Sequence, residues 1–297
     1  MRALNFGSMN LDYVYQVDHF VGPGETLSAS SRAVKLGGKG LNQSVALARA
    51  GARVAHAGCL GVGGEPLKAL LDREGVDTSM LEPVSEMQGH TVIQVNREGE
   101  NCILLYGGSN QCVTGTQISR TLRHCDTGDW LVLQNEVNCL ADIVNAAFDK
   151  GLTIALNPSP FDDRLADVDY NKLSWLLVNE VEVRQITGCD DPDQAWQRLH
   201  RQWPGLSVLI TLGSLGSVAY RVREGSVETA RQDAFHVMAV DTTAAGDTFT
   251  GYFIEGLMRG LPLRESMRRA SLAASIAVTR PGAAESIPTL REVEMKY

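Results

Sequence analysis

The run Asp241-Thr-Thr-Ala-Ala-Gly-Asp-Thr-Phe-Thr-Gly251 combines small residues with an acidic side chain, directly before a helical pattern that extends to about Met258. Small residues ahead of a helix allow backbone N–H groups to converge on an anion, and the positive end of the helix dipole adds to the attraction. Asp247 lies in the first turn, where a carboxylate is also a common helix cap. The run predicts an anion-binding helix start. The residues that would form this anion hole are Ala244, Ala245 and Gly246.

A second glycine-rich run, Leu36-Gly-Gly-Lys-Gly-Leu-Asn-Gln-Ser44, opens another predicted helix. Its first two glycines would allow a ligand to approach the backbone closely. The run is not a Walker A phosphate loop, which needs G-x-x-x-x-G-K-[ST], because Ala33 replaces the first glycine and Gly40 follows Lys39. Taken alone, the GGKG sequence is more typical of a flexible turn than of a binding site.

Both runs must be positioned by the elements around them, and short apolar segments alternate with amphipathic or alanine-rich stretches along most of the chain. Such alternation is typical of repeated βαβ units. It predicts a mostly parallel sheet with helices on both faces. The predicted strands lie in the segments ALNFGS, RVAHAG, DWLVLQNE, LTIALNPS, WLLVNE and LSVLITLG.

Two regions, residues 11–36 and 90–106, alternate with a period of two and lack an intervening helix, which predicts small antiparallel hairpins. The hairpins carry apolar residues on both faces, Val14, Phe20 and Val92 among them, so both faces need a covering. No linker rich in proline, glycine or serine divides the chain. We therefore predict a single αβα domain over residues 1–297 with a β-lid inserted in two pieces. The alternative is that the hairpins form an ordinary edge of the main sheet.

The composition is typical of a globular protein, with 44% hydrophobic and 21% charged residues. The 27 basic and 35 acidic residues give a net charge of -8, which argues against nucleic acid as a ligand. No apolar run approaches the ~18 residues of a membrane span, and the first residues become polar too soon for a signal peptide. The six cysteines show no metal-ligand spacing and are predicted to be reduced packing residues. We expect no membrane partner and a cytoplasmic location.

Together, the two glycine-rich runs resemble motifs of the ribokinase-like (pfkB) carbohydrate kinase family. The similarity extends over essentially the whole chain and includes seven ordered segments: Gly7–Asp12, Pro23–Thr26, GGKGLNQSVALARAG, Asn179–Glu182, Thr211–Gly216, DTTAAGDTF and Thr279–Ser286. The resemblance implies a three-layer αβα sandwich with a mostly parallel central sheet and a small β-sheet lid. It also implies ATP-dependent phosphorylation of a sugar's primary hydroxyl, with D-ribose converted to D-ribose 5-phosphate as the first expectation.

The resemblance further implies roles for individual residues. Asp247 matches the catalytic base, which takes the proton from the attacking hydroxyl beside the anion hole. Asp12 and Glu136 fall at predicted strand ends, where open α/β sheets bind ligands. Taken singly, such polar residues are more typical of solvated loops. The matching sugar-binding positions are Asn10, Asp12, Gly38, Lys39, Asn42, Glu136 and Asp247, and the matching ATP-binding positions are Asn179, Thr211, Gly213, Gly216 and Ser271.

Two cation sites are implied in the same way. Glu182, with Asn179 three residues before it, matches a motif that organises Mg²⁺ and its waters near the phosphates, and the alternative for this pair is a helix-capping box. An activating potassium ion would bind carboxylate, carbonyl and hydroxyl oxygens, which alkali cations favour. Its matching groups are Asp241, Thr243, Ala277, Arg280, Gly282 and Ser286. A homodimer through the lid is expected as well, because a neighbour's lid would cover the second apolar face.

Three alternatives to a ribose kinase stay open. A kinase of the same fold could act on another sugar, a sugar acid or a nucleoside, because a fold does not determine a substrate. A non-catalytic sugar or nucleotide sensor would keep the fold without turnover, although it would not need Asp247. A structural interaction protein is the third alternative, and only the apolar lid supports it.

Overall fold

The computed structural model describes residues 1–296, in which thirteen strands and nine α-helices follow one another. The strands are β1 (Ala3–Phe6), β2 (Asn10–Gln16), β3 (Ser31–Gly37), β4 (Val54–Val62), β5 (Asp77–Met87), β6 (His90–Val95), β7 (Asn101–Tyr106), β8 (Trp130–Gln134), β9 (Thr153–Asn157), β10 (Trp175–Asn179), β11 (Ser207–Thr211), β12 (Ser217–Arg223) and β13 (Ser226–Gln232). The helices are α1 (Lys39–Arg49), α2 (Glu65–Arg73), α3 (Gly115–Leu122), α4 (Leu140–Asp149), α5 (Glu180–Thr187), α6 (Pro192–Gln202), α7 (Ala245–Met258), α8 (Leu263–Ala277) and α9 (Leu290–Glu294).

Nine strands form one sheet in the order β13-β12-β11-β10-β9-β8-β1-β4-β5. The strands from β11 to β5 pair in parallel, whereas β12 and β13 pair antiparallel at one edge. Strands β1 and β8 are buried along their whole length, as expected for parallel strands that are covered on both faces. The predicted mostly parallel sheet is confirmed, and each of the six apolar segments forms a strand.

Helices cover both faces of this sheet and complete two separate hydrophobic clusters. Ile143 of α4 belongs to one cluster together with Leu131 of β8. Leu41 of α1 and Phe253 of α7 belong to the other, together with Val132 of β8. Neighbouring residues of β8 thus point to opposite clusters, because side chains alternate along a strand. This arrangement confirms the predicted three-layer αβα sandwich.

A second sheet forms the lid, with the strand order β3-β2-β6-β7. Strand β2 pairs antiparallel with β3, and β6 pairs antiparallel with β7, so both predicted hairpins are present. Parallel pairing of β2 with β6 joins the hairpins, beginning with Leu11 opposite His90. The lid is therefore a separate sheet rather than an edge of the main one. Among the helices described in residues 1–296, none is long and apolar enough to cross a membrane.

Candidate active site

Asp247 belongs to the first turn of α7, which begins at Ala245 behind the left-handed residue Ala244 (φ 59°). The carboxylate of Asp247 is directed to α1. Its Oδ2 accepts a hydrogen bond from Asn42 Nδ2 and its Oδ1 accepts one from Gln43 Nε2, both at 2.9 Å. Asp247 therefore links two helices instead of capping its own, and its carboxylate is held beside the N-terminus of α7.

The glycines at the start of α1 permit a close approach between this helix and the chain that leads into β2. Gly38 has a φ of 95°, a conformation that favours glycine. A Cβ atom on Gly40 would lie 2.4 Å from the backbone nitrogen of Ser8, and a Cβ atom on Gly37 would lie 2.0 Å from Asp12 Oδ2. The GGKG run is thus part of a tightly packed site rather than a flexible turn.

Lys39, the first residue of α1, is surrounded by carboxylates. Burial lowers the pKa of its ammonium group, but Asp247, Glu136 and Glu182 outweigh this effect and raise the pKa overall. Glu136 Oε2 accepts hydrogen bonds from the Lys39 backbone N–H at 3.1 Å and from the Ser8 hydroxyl. Burial raises the pKa of Glu136 in spite of these partners. The cluster offers acceptors for hydroxyl groups and a charged Lys39 for an anion.

Asn10 and Asp12 lie on β2 of the lid. Asn10 is 3% exposed, and its Oδ1 accepts a hydrogen bond from Asn110 Nδ2 at 2.7 Å. Asp12 Oδ1 accepts one from the Thr91 hydroxyl at 2.6 Å, and burial raises the pKa of Asp12 against the opposing effect of Thr91. The prediction that Asp12 ends a strand is wrong, because β2 begins at Asn10 and continues to Gln16.

Glu136 follows the carboxyl end of β8, which ends at Gln134, so the prediction that Glu136 lies at the end of a strand is confirmed.

The pair that was predicted to organise Mg²⁺ forms the capping box of α5. Asn179 Oδ1 accepts hydrogen bonds from the backbone N–H groups of Val181 and Glu182, at 2.9 and 2.8 Å. Glu182 Oε2 in turn accepts one from the Asn179 backbone N–H at 3.0 Å. Burial raises the pKa of Glu182. Capping does not exclude a second role, because a carboxylate has two oxygens and several acceptor positions.

Two adjoining pockets open at the N-terminus of α7. Lys39, Glu182 and Asp247 line the first pocket together with Ala244. The second pocket, of about 590 Å³, is lined by all five predicted ATP-binding residues, Asn179, Thr211, Gly213, Gly216 and Ser271. Both pockets include Thr242, Ala245 and Gly246. The predicted anion hole therefore lies where ligands in the two pockets would meet. Five predicted sugar-binding residues line neither pocket: Asn10, Asp12, Gly38, Asn42 and Glu136.

The residues predicted to bind a monovalent cation lie on two loops beside α7. Asp241 Oδ2 accepts a hydrogen bond from the Gly282 backbone N–H at 2.9 Å, which joins the loops. Asp241 Oδ1 accepts from the backbone N–H and the hydroxyl of Thr243, at 2.9 and 2.6 Å. Burial alone would raise the pKa of Asp241, but these hydrogen bonds together outweigh burial, so the pKa lies below its ordinary value. The other residues that were predicted to supply oxygen ligands lie at the end of α8 and in the loop that follows it: Ala277, Arg280 and Ser286.

Comparison with known proteins identifies the family. The family model of pfkB family carbohydrate kinases matches residues 2–290. The chain belongs to this family of carbohydrate kinases. The kinase is 36% identical to the ribokinase of Haemophilus influenzae, over 96% of this chain and 95% of that protein.

Solved structures agree with this assignment. Ribokinase from Cryptococcus neoformans in complex with ADP matches with a TM-score of 0.85 and 34% identity, over 100% of this chain and 99% of that chain. Arabidopsis thaliana ribokinase complexed with ribose and ATP matches with a TM-score of 0.87 and 27% identity, over 99% and 97% of the two chains. The kinase thus shares both its fold and most of its length with ribokinases.

Sequence reasoning missed several polar residues of this kinase. Gln43 contacts Asp247, and Thr91 and Asn110 contact the two candidate sugar-binding residues of the lid. Asn157, at the end of β9, lines the first pocket. Gln43 was the easiest to find, because it directly follows Asn42 in the glycine-rich run. The other three occur in no motif, and only the packing of distant strands brings them to the site.

Proposed function

We propose that this protein transfers the γ-phosphoryl group of ATP to the primary hydroxyl of D-ribose, giving D-ribose 5-phosphate and ADP. The observation that carries the proposal is the position of the Asp247 carboxylate beside the α7 N-terminus, in the first pocket and next to Ala245 and Gly246, which line both pockets. The relatives support the same pair of substrates, because ribokinases have been solved with ADP and with ribose and ATP.

In the proposed reaction the O5 hydroxyl of the sugar attacks the γ-phosphorus. Asp247 accepts the hydroxyl proton, the bond from the γ-phosphorus to the bridging oxygen breaks, and ADP leaves. The backbone N–H groups from Ala244 to Asp247 would stabilise the charge on the transferred group. Phosphoryl transfer depends mostly on such positioning and charge stabilisation, so a base adjoining an anion hole is the central part of the protein machinery.

Unused acceptors support a small polyhydroxylated substrate. Asn42 Oδ1 is buried without a hydrogen-bond partner in the described structure, although Asn42 Nδ2 is held by Asp247. A buried acceptor without a donor is costly, and a hydroxyl of a sugar bound against Asn42, which is 5% exposed, would satisfy it. The carboxylates of Asp12 and Glu136 would accept from further hydroxyls, and Asn10 and the Gly38 backbone would complete the sugar site.

The second pocket supports ATP as the phosphoryl donor. Its walls include the apolar residues Phe249 and Val278, which suit the faces of a base, and the glycine turn at Gly213 and Gly216. Ser271 also lines it, but the Ser271 hydroxyl already donates to the Asp233 carbonyl at 3.4 Å. The Ser271 oxygen can therefore still accept a hydrogen bond from a nucleotide, but its only donor is already directed to Asp233.

Magnesium fits the donor chemistry of the first pocket. Glu182 presents a carboxylate there, and no group of three or more metal-ligating side chains occurs among the described residues. Such a site suits Mg²⁺, which keeps several waters and binds through one or two carboxylates and the phosphates of its substrate. Glu182 would hold the ion through water, with Asn179 beside it. The bound ion would supply charge neutralisation at the phosphates.

Potassium fits the loops that join at Asp241. The lowered pKa of Asp241 keeps this carboxylate ionised, and the Thr243 hydroxyl lies 2.6 Å from its Oδ1. The residues that would hold the cation are Asp241, Thr243, Ala277, Arg280, Gly282 and Ser286. A cation here would hold the two loops together and so keep the amides of the anion hole in place.

A homodimer through the lid is the third part of the proposal. Strand β7 is the outer strand of the lid and is exposed at every residue. Its side chains include Ile103, Leu104 and Leu105, which are 54%, 70% and 45% exposed. A contiguous apolar strand of this kind favours a partner, and a second lid would present the complementary apolar surface.

We also propose the cytoplasm as the compartment. The six cysteines form no disulfide in the described structure, and three of them are buried. Reduced, buried cysteines are typical of cytosolic proteins.

The test is an ADP-release assay with D-ribose, 2-deoxy-D-ribose, D-fructose, a sugar acid and adenosine as acceptors. D-Ribose is expected to give the highest kcat/KM. Treatment of the product with dilute acid distinguishes the position, because a phosphate on O5 is stable whereas a phosphate on the anomeric oxygen is released. A higher kcat/KM for adenosine would overturn the pentose assignment. Binding of ribose and ATP without turnover would favour the sensor alternative.

A further inference from the structure

Gln43 lies behind the candidate base and has no access to either pocket. Gln43 is 0% exposed, so its side chain cannot touch a sugar or a nucleotide directly. Gln43 Nε2 donates to Asp247 Oδ1 at 2.9 Å, and Gln43 Oε1 accepts from Gln134 Nε2 at 2.6 Å. One end of this amide therefore contacts the catalytic carboxylate, and the other end contacts the core of the sheet.

The hydrogen bonds behind Gln43 have a fixed direction. Asn5 Nδ2 donates to the Gly40 carbonyl at 2.6 Å and to the Ser44 hydroxyl oxygen at 2.8 Å. Because a carbonyl only accepts, the Asn5 amide cannot be turned around, and Asn5 Oδ1 must accept. It accepts from Gln134 Nε2 at 3.0 Å, and the same Nε2 reaches Gln43 Oε1. Each amide thus sets the orientation of the next, and Gln43 must present its NH₂ group to Asp247.

We propose that Gln43, oriented by Gln134 and Asn5, is a positioning residue that holds the Asp247 carboxylate aimed at the attacking hydroxyl. The inference rests on the proposed function, because it requires Asp247 to be the base. Asn42 does not share this role, because its Oδ1 has no partner and nothing behind it fixes its orientation. A turned Gln43 would place Oε1 against Asp247 Oδ1, two acceptors at hydrogen-bond distance, and would displace the carboxylate.

The test measures kcat and the KM values for ribose and ATP in Gln43→Met, Gln43→Glu and Gln134→Met. Loss of one charge-assisted hydrogen bond predicts a fall in kcat of about 10- to 100-fold for Gln43→Met, with both KM values nearly unchanged. Gln43→Glu matches the native size but places a second carboxyl group against Asp247, and the buried pair would share one proton, so the base is partly blocked and kcat is expected to fall further. Gln134→Met is expected to lower kcat as well, although it alters no group that touches Asp247.

The matched control is Gln117→Met. Gln117 is also a buried glutamine, 2% exposed, and its Nε2 donates to the Gly58 carbonyl at 2.7 Å. It makes no hydrogen bond to Asp247 in the described structure. Thermal unfolding of every variant gives the folded fraction. The control is expected to lose thermal stability to a similar extent and to keep its kcat. If Gln43→Met does not fold, Gln134→Met carries the test.

The outcomes separate this inference from the function on which it rests. If Asp247→Asn is inactive while folded Gln43→Met and Gln134→Met keep the wild-type kcat, the inference is wrong and the kinase assignment stands. If Gln43→Glu is more active than Gln43→Met, the size of the side chain at this position matters rather than its hydrogen bond to Asp247. That result would also overturn the inference. Retained activity in Asp247→Asn would defeat the proposed base and this inference together.

Discussion

Replacing Asp247 by asparagine removes the proposed base with little other change, and the hydrogen bonds of the site show why. The new amide side chain would offer one acceptor and one donor where the carboxylate offers two acceptors. Gln43 cannot turn, so its NH₂ group would donate to the amide oxygen. Asn42 can turn, because its Oδ1 has no partner, and that oxygen would then accept from the new NH₂ group. The substituted site therefore keeps two hydrogen bonds between α1 and α7.

The expected loss is at least ~10²-fold in kcat, the usual scale for removing a general base. The melting temperature should stay close to that of the wild type, because both helix contacts persist. KM for ATP should not change. KM for ribose should rise only a few-fold, since turning Asn42 removes the buried acceptor that we assign to a sugar hydroxyl.

The assay is ADP release with ribose and ATP, together with thermal unfolding and calorimetric titration of ribose. Asp72→Asn is the matched control, because Asp72 is at the surface and pairs with Lys68 at 2.7 Å, away from either pocket. It should keep full turnover. Asp247→Asn with more than about a tenth of the wild-type kcat would contradict the base assignment, given the loss expected above. A large fall in its melting temperature would show that the Asn42 reorientation does not occur.

Four further results are expected. Potassium chloride should raise the rate above sodium chloride at equal ionic strength, and Asp241→Ala should abolish the difference; equal rates in both salts for the wild type would refute the cation site. Gly40→Ala should lower the unfolding free energy by about 1–3 kcal/mol, because its Cβ would collide with backbone at 2.4 Å, whereas Gly115→Ala, with open space around it, should not. Leu104→Glu should convert the proposed dimer to a monomer, as measured by light scattering, and a wild-type monomer would refute the proposed lid interface. Glu74→Gln should lower the melting temperature at pH 7 but not at pH values below the folded-state pKa of Glu74. The hydrogen bonds from Arg49 lower this pKa, so they stabilise the fold while the carboxylate is ionised, and that stabilisation is lost as the pH falls and the carboxylate is protonated.

The main sheet could be predicted from the sequence because its strands are buried on both faces. Such strands are short apolar segments, and β8 and β11 show this pattern plainly. The lid could be predicted from the contrasting period of two. The exact start of β2 could not, because Asn10 and Leu11 belong to the strand through pairing with β3 and β6, which lie elsewhere in the chain. The misplacement of Asp12 at a strand end follows from this.

The candidate site could also be predicted only in part from the sequence. Asp247 and the residues around it could be recognised because they are contiguous in a single run. The hydrogen bonds from Asn42 and Gln43 to Asp247 could not be inferred from spacing, because Gln43 is 204 positions away from Asp247 in the chain and only helix packing brings the two together. Asn179 and Glu182 show another limit. The same three-residue spacing predicts a capping box and a motif near magnesium, and the structure contains the capping box whether or not the second role applies.

The packing of α1 against α7 brings the proposed anion hole, the proposed base and the proposed sugar-binding groups into one site. The side chains of Asn42 and Gln43 meet Asp247 near the starts of the two helices, and Ala46 meets Gly251 about two turns from those starts. The helices therefore run side by side in the same direction, so their N-termini lie together. Each N-terminus carries roughly half a positive charge. Two such ends beside Lys39 would attract a phosphoryl group, while the carboxylates of the same region accept from hydroxyls. This alignment needs Gly251, since a Cβ atom there would lie 2.4 Å from Ala46 Cβ and would force the helices apart.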